Sequence, residues 1–214
     1  MRSSRRFLLV LLVLLMLACQ TSLIADLVTQ PGGTLFKDDF SDPSSGWART
    51  VSRNGAMDYD AGTYRMLILK TNYDLWSVSG QAFKDVRVEA GATRIKGPLE
   101  NRFGLICRFR DPRNFYFFII SSDGYYAIGK VRNGTRTLLG QSMMAPNPAI
   151  VLGNGPNRLR FDCIGLSLTA YVNDQIVAAT GDADFPDGDV GLLAGTFNEP
   201  GVDVAFDHFV VIKP

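Results

Sequence analysis

The chain predicts an all-β fold in which two antiparallel sheets pack face to face. Three observations carry that expectation. Apolar residues alternate with polar ones, as in Val86-Arg87-Val88-Glu89, Leu159-Arg160-Phe161-Asp162-Cys163 and Leu166-Ser167-Leu168-Thr169-Ala170-Tyr171-Val172, which is the period of a half-buried strand. Turn signals recur at short intervals: Asn54-Gly55, Asp60-Ala61-Gly62, Ser122-Asp123-Gly124, Asn133-Gly134, Asn173-Asp174 and Asp187-Gly188. Beyond residue 34, helical periodicity is everywhere interrupted by Gly, Pro or a β-branched residue. Many short strands with no helix to cover a face leave a sandwich or a barrel.

Residues 1–18 stand apart from that pattern. Arg2, Arg5 and Arg6 precede an unbroken apolar run from Phe7 to Leu17, followed by Ala18-Cys19. A basic start, a short apolar middle and a small residue at the cut define an export signal helix. The run is shorter than the roughly 20 apolar residues that span a bilayer. Its end, Leu15-Met16-Leu17-Ala18-Cys19, resembles the bacterial lipobox, although Met16 and Leu17 depart from the commonest pair. The resemblance implies lipidation of Cys19 and a membrane-anchored, cell-surface lipoprotein. Residues 19–34 are polar and end Gln30-Pro31-Gly32-Gly33-Thr34, which reads as a flexible linker.

Residues 35–214 are expected to form the single β-sandwich domain, long enough to bury about 70% of the unfolded chain's surface. The leader carries three arginines and no acid, so its removal takes 22 basic residues to 19 against 21 acids, a formal charge of −2. No Lys/Arg run of the kind that follows a phosphate backbone is present, which excludes nucleic acid as an expected partner. Membrane attachment is left to the lipid.

With Cys19 reserved for lipid, Cys107 and Cys163 are left either to pair in an oxidising compartment or to stay as free, buried thiols that pack as small hydrophobes. Both sit on the apolar phase of alternating runs: Phe103, Leu105, Cys107 and Phe109 in one, Leu159, Phe161 and Cys163 in the other. The stretch Phe115-Tyr116-Phe117-Phe118-Ile119-Ile120 does not alternate, so both its faces carry large apolar groups. One face fills the core; the other is either the floor of an open groove or roofed by loops. Tyr125 and Tyr126 repeat the ambiguity on the next strand.

Seven motifs keep their order along the chain: Asp38-Asp39-Phe40; Gly46-Trp47; Gly104-Leu105-Ile106-Cys107-Arg108-Phe109-Arg110-Asp111-Pro112-Arg113-Asn114-Phe115-Tyr116; Ser122-Asp123-Gly124-Tyr125-Tyr126; Tyr171-Val172-Asn173-Asp174; Asp189-Val190-Gly191-Leu192; and Phe206-Asp207-His208-Phe209. From Phe36 to about Val211 this order resembles the concanavalin A-like jelly rolls, in the branch that contains laminin-G-like modules and the 3-keto-disaccharide hydrolase-like domain. The resemblance implies a two-sheet jelly roll whose first strand, near Leu35 to Phe40, lies beside the last, near Val204 to Ile212. It implies no particular reaction, because the architecture carries lectins, glycosidases and spacers alike.

Chemistry is sparse. A glycosidase needs two carboxyls flanking the scissile bond, and no Glu-x-Asp-x-x-Glu spacing occurs; Glu89, Glu100 and Glu199 read as solvated acids. His208 is the only imidazole and no Gly-x-Ser-x-Gly elbow is present, which leaves a nucleophilic triad without its base. One of Asp207 and His208 is expected to face inward or into a hydrogen bond. No cofactor is expected: one His and two cysteines cannot supply a zinc site, and calcium is the remaining candidate, because Asp182, Asp184, Asp187 and Asp189 crowd one loop and offer hard oxygen ligands. Sugar binding requires less, namely an aromatic face and planar hydrogen-bonding groups around it. The candidate residues are Trp76, Arg108, Arg110, Asn114, Tyr116, Tyr125 and Tyr126, with Arg108 and Arg110 expected on the polar phase of one strand. Three functions follow from the sequence: a tethered, non-catalytic domain that binds glycan or another extracellular ligand; an enzyme of the 3-keto-disaccharide hydrolase type; and a protein-interaction or spacer module of the envelope.

Overall fold

The computed structural model describes residues 30–214, and the leader, Cys19 and most of the linker lie outside the described residues. Among the described residues sixteen strands form two antiparallel sheets. The nine-stranded sheet holds β1 (Thr34–Asp38), β2 (Thr50–Ser52), β3 (Gly55–Asp60), β4 (Thr63–Ile68), β6 (Val86–Lys96), β12 (Asn157–Ile164), β13 (Ser167–Val172), β14 (Gln175–Gly181) and β16 (Val202–Ile212). The seven-stranded sheet holds β5 (Asp74–Phe83), β7 (Asn101–Asp111), β8 (Asn114–Ile120), β9 (Tyr125–Arg132), β10 (Thr135–Leu138), β11 (Ala145–Pro146) and β15 (Gly188–Thr196). Its path runs β10-β9-β8-β7-β15-β5, and β11 pairs with β9. Strand β1 pairs with β16, Asp38 opposite Phe209, as the jelly-roll resemblance implies.

The alternation does what it predicts. Val86, Val88, Ala90 and Ala92 of β6 and Leu159, Phe161 and Cys163 of β12 point to the same side and meet Phe103, Leu105, Cys107, Tyr116, Phe118 and Ile120 of the facing sheet in one core. At one end of that core Phe40, Trp47, Tyr64 and Phe209 interlock, with ring centroids 4.9–5.6 Å apart. The indole N–H of Trp47, buried there, donates to Asp38 Oδ2 at 2.9 Å, which satisfies a donor that burial would otherwise strand.

Cys107 and Cys163 are disulfide-bonded and tie β7 of one sheet to β12 of the other. Immediately beyond Cys107 the strand departs from simple alternation. Arg108 takes φ = 51° and the register with β8 shifts between Cys107 and Asp111. The bulge reverses the phase, so Phe109, expected beside Cys107 in the core, joins Phe115 on the opposite face with centroids 5.5 Å apart. A second bulge in β16 lies between Asp207 and Val210, with His208 at φ = 48°. It turns His208 outward, 83% of its side chain exposed and Nδ1 3.4 Å from Asp207 Oδ1, so the two residues face each other and neither enters the core.

The two ends of the sandwich differ. At one end lie the start of β6, the β7–β8 turn and the last residues of β16; there the Gly32 N–H donates to the Lys213 carbonyl and the Lys213 N–H to the Gly33 carbonyl. The end of the linker is thus pinned to the final strand. At the other end lie the β6–β7 and β8–β9 turns and the β15–β16 connection.

Candidate functional site

The outer face of the seven-stranded sheet is a shallow trough built from registered rows. Trp76, Leu193, Gly104, Ile119 and Ala127 stand side by side across β5, β15, β7, β8 and β9. The next row, nearer the linker end, is Gly191, Ile106, Phe117, Gly129 and Leu138. Glycine at 104, 129 and 191 carves this face, because a Cβ there would strike neighbours: the Phe118 carbonyl oxygen at 2.0 Å, the Phe117 ring at 2.3 Å and the Ser77 carbonyl oxygen at 2.2 Å. The apolar floor of Ile106, Phe115, Phe117, Ile119 and Leu193 is buried although, among the described residues, no second sheet covers it. Leu138, Met144, Trp76 and Phe109 close over its margins.

The row at the far end, opposite the linker, is polar. Gly195 lies between Asp74 on β5 and Arg102 on β7, and its missing side chain lets the two meet: a Cβ would fall 1.9 Å from Asp74 Oδ1 and 2.9 Å from Arg102 Nε. Arg102 Nε donates to Asp74 Oδ1 at 2.5 Å, while Arg136 Nη2 from β10 donates to Asp74 Oδ2. The Arg102 guanidinium stacks 4.5 Å from the Phe197 ring, and that of Arg136 lies 5.0 Å above Phe117. Burial pushes the Arg102 pKa down, Asp74 pulls it back up and the like charge of Arg136 lowers it; an arginine so placed stays protonated.

Here a groove of about 870 Å³ opens, lined by Arg102, Arg136, Ser121, Asp123, Tyr125 and Glu100, with Gln141, Met143 and Met144 on one wall and Phe197 on another. That volume is within the range of small-molecule sites. Tyr125 is 40% exposed and offers a ring to the opening. Ser121 Oγ donates to Asp123 Oδ1 and accepts the Tyr125 N–H at 3.1 Å, so the β8–β9 turn holds Asp123 and Tyr125 at the rim. The arrangement combines an apolar face, hydroxyl-binding carboxylates and fixed guanidinium donors, the groups that bind a polyol.

The structure distributes the residues chosen from sequence. Tyr125 lines the groove, and Trp76 lies half-buried on the same face, 6.4 Å from Phe115. Tyr126 is half-buried against the main core. Tyr116 is in that core, its hydroxyl donating to Asp182 Oδ1 at 2.6 Å and accepting the Phe185 N–H at 3.1 Å, and burial pushes its pKa up to about 12. Arg108, expected on an exposed polar phase, is 1% exposed and donates to the Phe185 carbonyl at 2.9 Å; the bulge turned it inward. Arg110 is exposed beside Asp187 at 3.0 Å. Asn114 staples the β7–β8 turn to Asp111, 3.0 Å away, at the linker end. Neither Arg108 nor Arg110 nor Asn114 shares the groove.

The aspartates considered for calcium are engaged separately. Asp182 and Asp184 hold the Lys130 ammonium, Asp187 pairs with Arg110, and Asp189 accepts the Ser79 hydroxyl at 2.7 Å and the Gly80 N–H at 2.8 Å. Among the described residues no group of three or more His, Cys, Asp or Glu is placed to hold a metal ion. Glu89, expected in solvent, is buried against Arg158 at 2.7 Å.

Sequence reasoning missed Asp74, Arg102, Arg136 and Phe197, which come from four separate segments with nothing local to join them. The one available signal was glycine recurring on a single phase of neighbouring strands, at 104, 129, 191 and 195, which marks a face that something else must approach closely.

No family model and no curated protein matches the chain. Solved structures do match its fold. A carbohydrate-binding module, CBM66 from Bacillus subtilis, superposes with a TM-score of 0.64 at 19% identity over 79% of this chain and 96% of that one. A Bacillus subtilis protein of unknown function with a galectin-like fold gives 0.65 at 12% identity over 86% and 97%. A Bacillus licheniformis β-glucanase gives 0.59 at 14% identity over 86% and 100%. The chain is a concanavalin A-like jelly roll, an architecture shared by carbohydrate-binding modules and glycoside hydrolases.

Proposed function

We propose that this protein is a surface-tethered lipoprotein whose jelly-roll domain binds carbohydrate in the groove at the far end of the seven-stranded sheet, without turning it over. The observation that carries the reading is the groove itself: Tyr125, the fixed guanidinium of Arg102, and the acceptors Asp123 and Glu100 converge on one opening. Its position supports the tether as well. The linker enters beside Lys213, whereas the groove lies by the β6–β7 and β8–β9 turns at the opposite end. A chain anchored at Cys19 would present the groove outward. The 11 residues from Gln20 to Gln30 could span up to about 40 Å when extended. The disulfide between Cys107 and Cys163 fits an oxidising, extracellular setting. Binding rather than catalysis is favoured because glycoside hydrolysis needs a pair of carboxyls, and of the acids at the groove Asp74 is held by Arg102 and Arg136 and Asp123 by the Ser121 hydroxyl.

The test is a glycan array followed by calorimetry on the positive sugars. Binding that falls at least about tenfold in Tyr125→Ala, in line with the loss of an aromatic platform, supports the reading. Silence across plant, fungal and bacterial cell-wall glycans overturns it. Intact-mass measurement on membrane-extracted protein tests the anchor separately: a diacylglyceryl adduct on Cys19 is expected, and an unmodified N-terminus refutes it.

A further inference from the structure

Two guanidinium groups in the groove share a single carboxylate. We propose that Arg136 and Arg102 form a subsite for an anionic group, a carboxylate or sulfate ester, carried by the bound glycan, and that Asp74 occupies this subsite while the groove is empty. The proposal rests on the groove being the glycan site.

The geometry is specific. Asp74 belongs to β5 and Arg136 to β10, the strands at the two edges of the seven-stranded path. Their side chains nonetheless meet above the sheet, Asp74 reaching across Gly195 to Arg102 and Arg136 reaching across Phe117. The ion pair is therefore a strap over an apolar floor. Within the strap two positive charges meet one negative charge, and the excess lies over Phe117 where screening is weaker than on open surface.

The two arginines are differently placed. The Arg102 side chain is 9% exposed and fixed between Asp74 and Phe197. That of Arg136 is 32% exposed and open to an incoming group. A guanidinium presents a planar fork that matches a carboxylate or sulfate, and a ligand acid that replaces Asp74 Oδ2 would take Arg136 as its partner and neutralise the excess positive charge, with Arg102, bonded to Oδ1, beside it. The other acids of the groove stand apart from the strap: Asp123 is engaged by Ser121, and Glu100 lies in the β6–β7 turn. They remain available for sugar hydroxyls.

Calorimetry with three probes tests this: hexagalacturonate for carboxylate, a sulfated dextran oligosaccharide for sulfate, and cellohexaose as the neutral sugar. The expected result is acidic binding about tenfold or more tighter than neutral, weakening as salt is raised. Arg136→Gln should abolish the preference, Arg136→Lys should restore part of it, and Asp74→Asn should raise acidic affinity severalfold by removing the internal competitor. Salt titration on the unaltered protein needs no variant to fold. Which acidic probe binds more tightly identifies carboxylate or sulfate. If cellohexaose binds as tightly as both acidic probes, the subsite is refuted while glycan binding stands; if no sugar binds on the array or in solution, both fall.

Discussion

Lys130 reaches from β9 of one sheet to Asp182, one residue past β14 of the other, and its ammonium lies between Asp182 and Asp184, 2.6 Å from Asp184 Oδ2. The loop that the sequence offered to calcium is thus occupied by a cation of the chain's own, which closes one margin of the sandwich beside Tyr116 and Phe185.

That contact gives stability a defined response to acid. Burial raises the Asp182 pKa, but hydrogen bonds from Lys130, Tyr116 and the Asp184 N–H outweigh it and hold the carboxyl below its ordinary 3.8. A folded-state pKa lower than the unfolded one stabilises the fold above the unfolded value, and the contribution disappears as pH falls through the folded value. Denaturant unfolding should therefore show a plateau near neutrality and a loss of stability below about pH 4, with a shallower fall in Asp182→Asn. An identical acid slope in the variant would contradict the assignment.

The disulfide closes a loop of 56 residues' separation between the two sheets. Replacing both cysteines by alanine should lower unfolding stability by about 4 kcal/mol in the chain-entropy picture, read as a shift in urea midpoint between the oxidised protein and the double variant.

Arg65 grips Asp203 through two hydrogen bonds, Nε–Oδ1 at 2.8 Å and Nη2–Oδ2 at 2.6 Å, and the Asp203 side chain is completely buried. Removing the exposed partner strands a buried charge. Arg65→Met should cost about 3 kcal/mol, whereas Arg49→Met, which leaves the solvated Asp58, should cost less than about 1 kcal/mol. Equal melting temperatures for the two variants would show that burial of Asp203 carries no weight.

Two glycines separate rigid from yielding neighbours. A Cβ at Gly104 would lie 2.0 Å from the Phe118 backbone oxygen, so Gly104→Ala must displace a strand and should cost more than about 2 kcal/mol. At Gly91 the obstruction is the end of the half-exposed Asp207 side chain, 1.8 Å away, which can swing aside. Gly91→Ala should stay within about 0.5 kcal/mol. Thermal unfolding of both variants decides it.

What the sequence made legible was the part written in local periodicity. Strands such as β6 and β12 announce their buried side through alternation, and Cys107 and Cys163 announce theirs by sharing it. Phe115 to Ile120 announced that both faces were apolar, but not what lay above the outer one. The bulge at Arg108 escaped because a single positive φ leaves no trace in the apolar pattern, yet it moved Arg108 into the core and Phe109 out of it.

By itself, then, the sequence determined the sheets, the core side of most strands and the cysteine pair, because each depends on residues near one another in the chain or on a period they share. Only the tertiary structure decided the site. Asp74, Arg102, Arg136 and Tyr125 come together because sheet register and curvature bring opposite edges over one face, and a charge's partner across that face is set by distances in space that no spacing along the chain encodes.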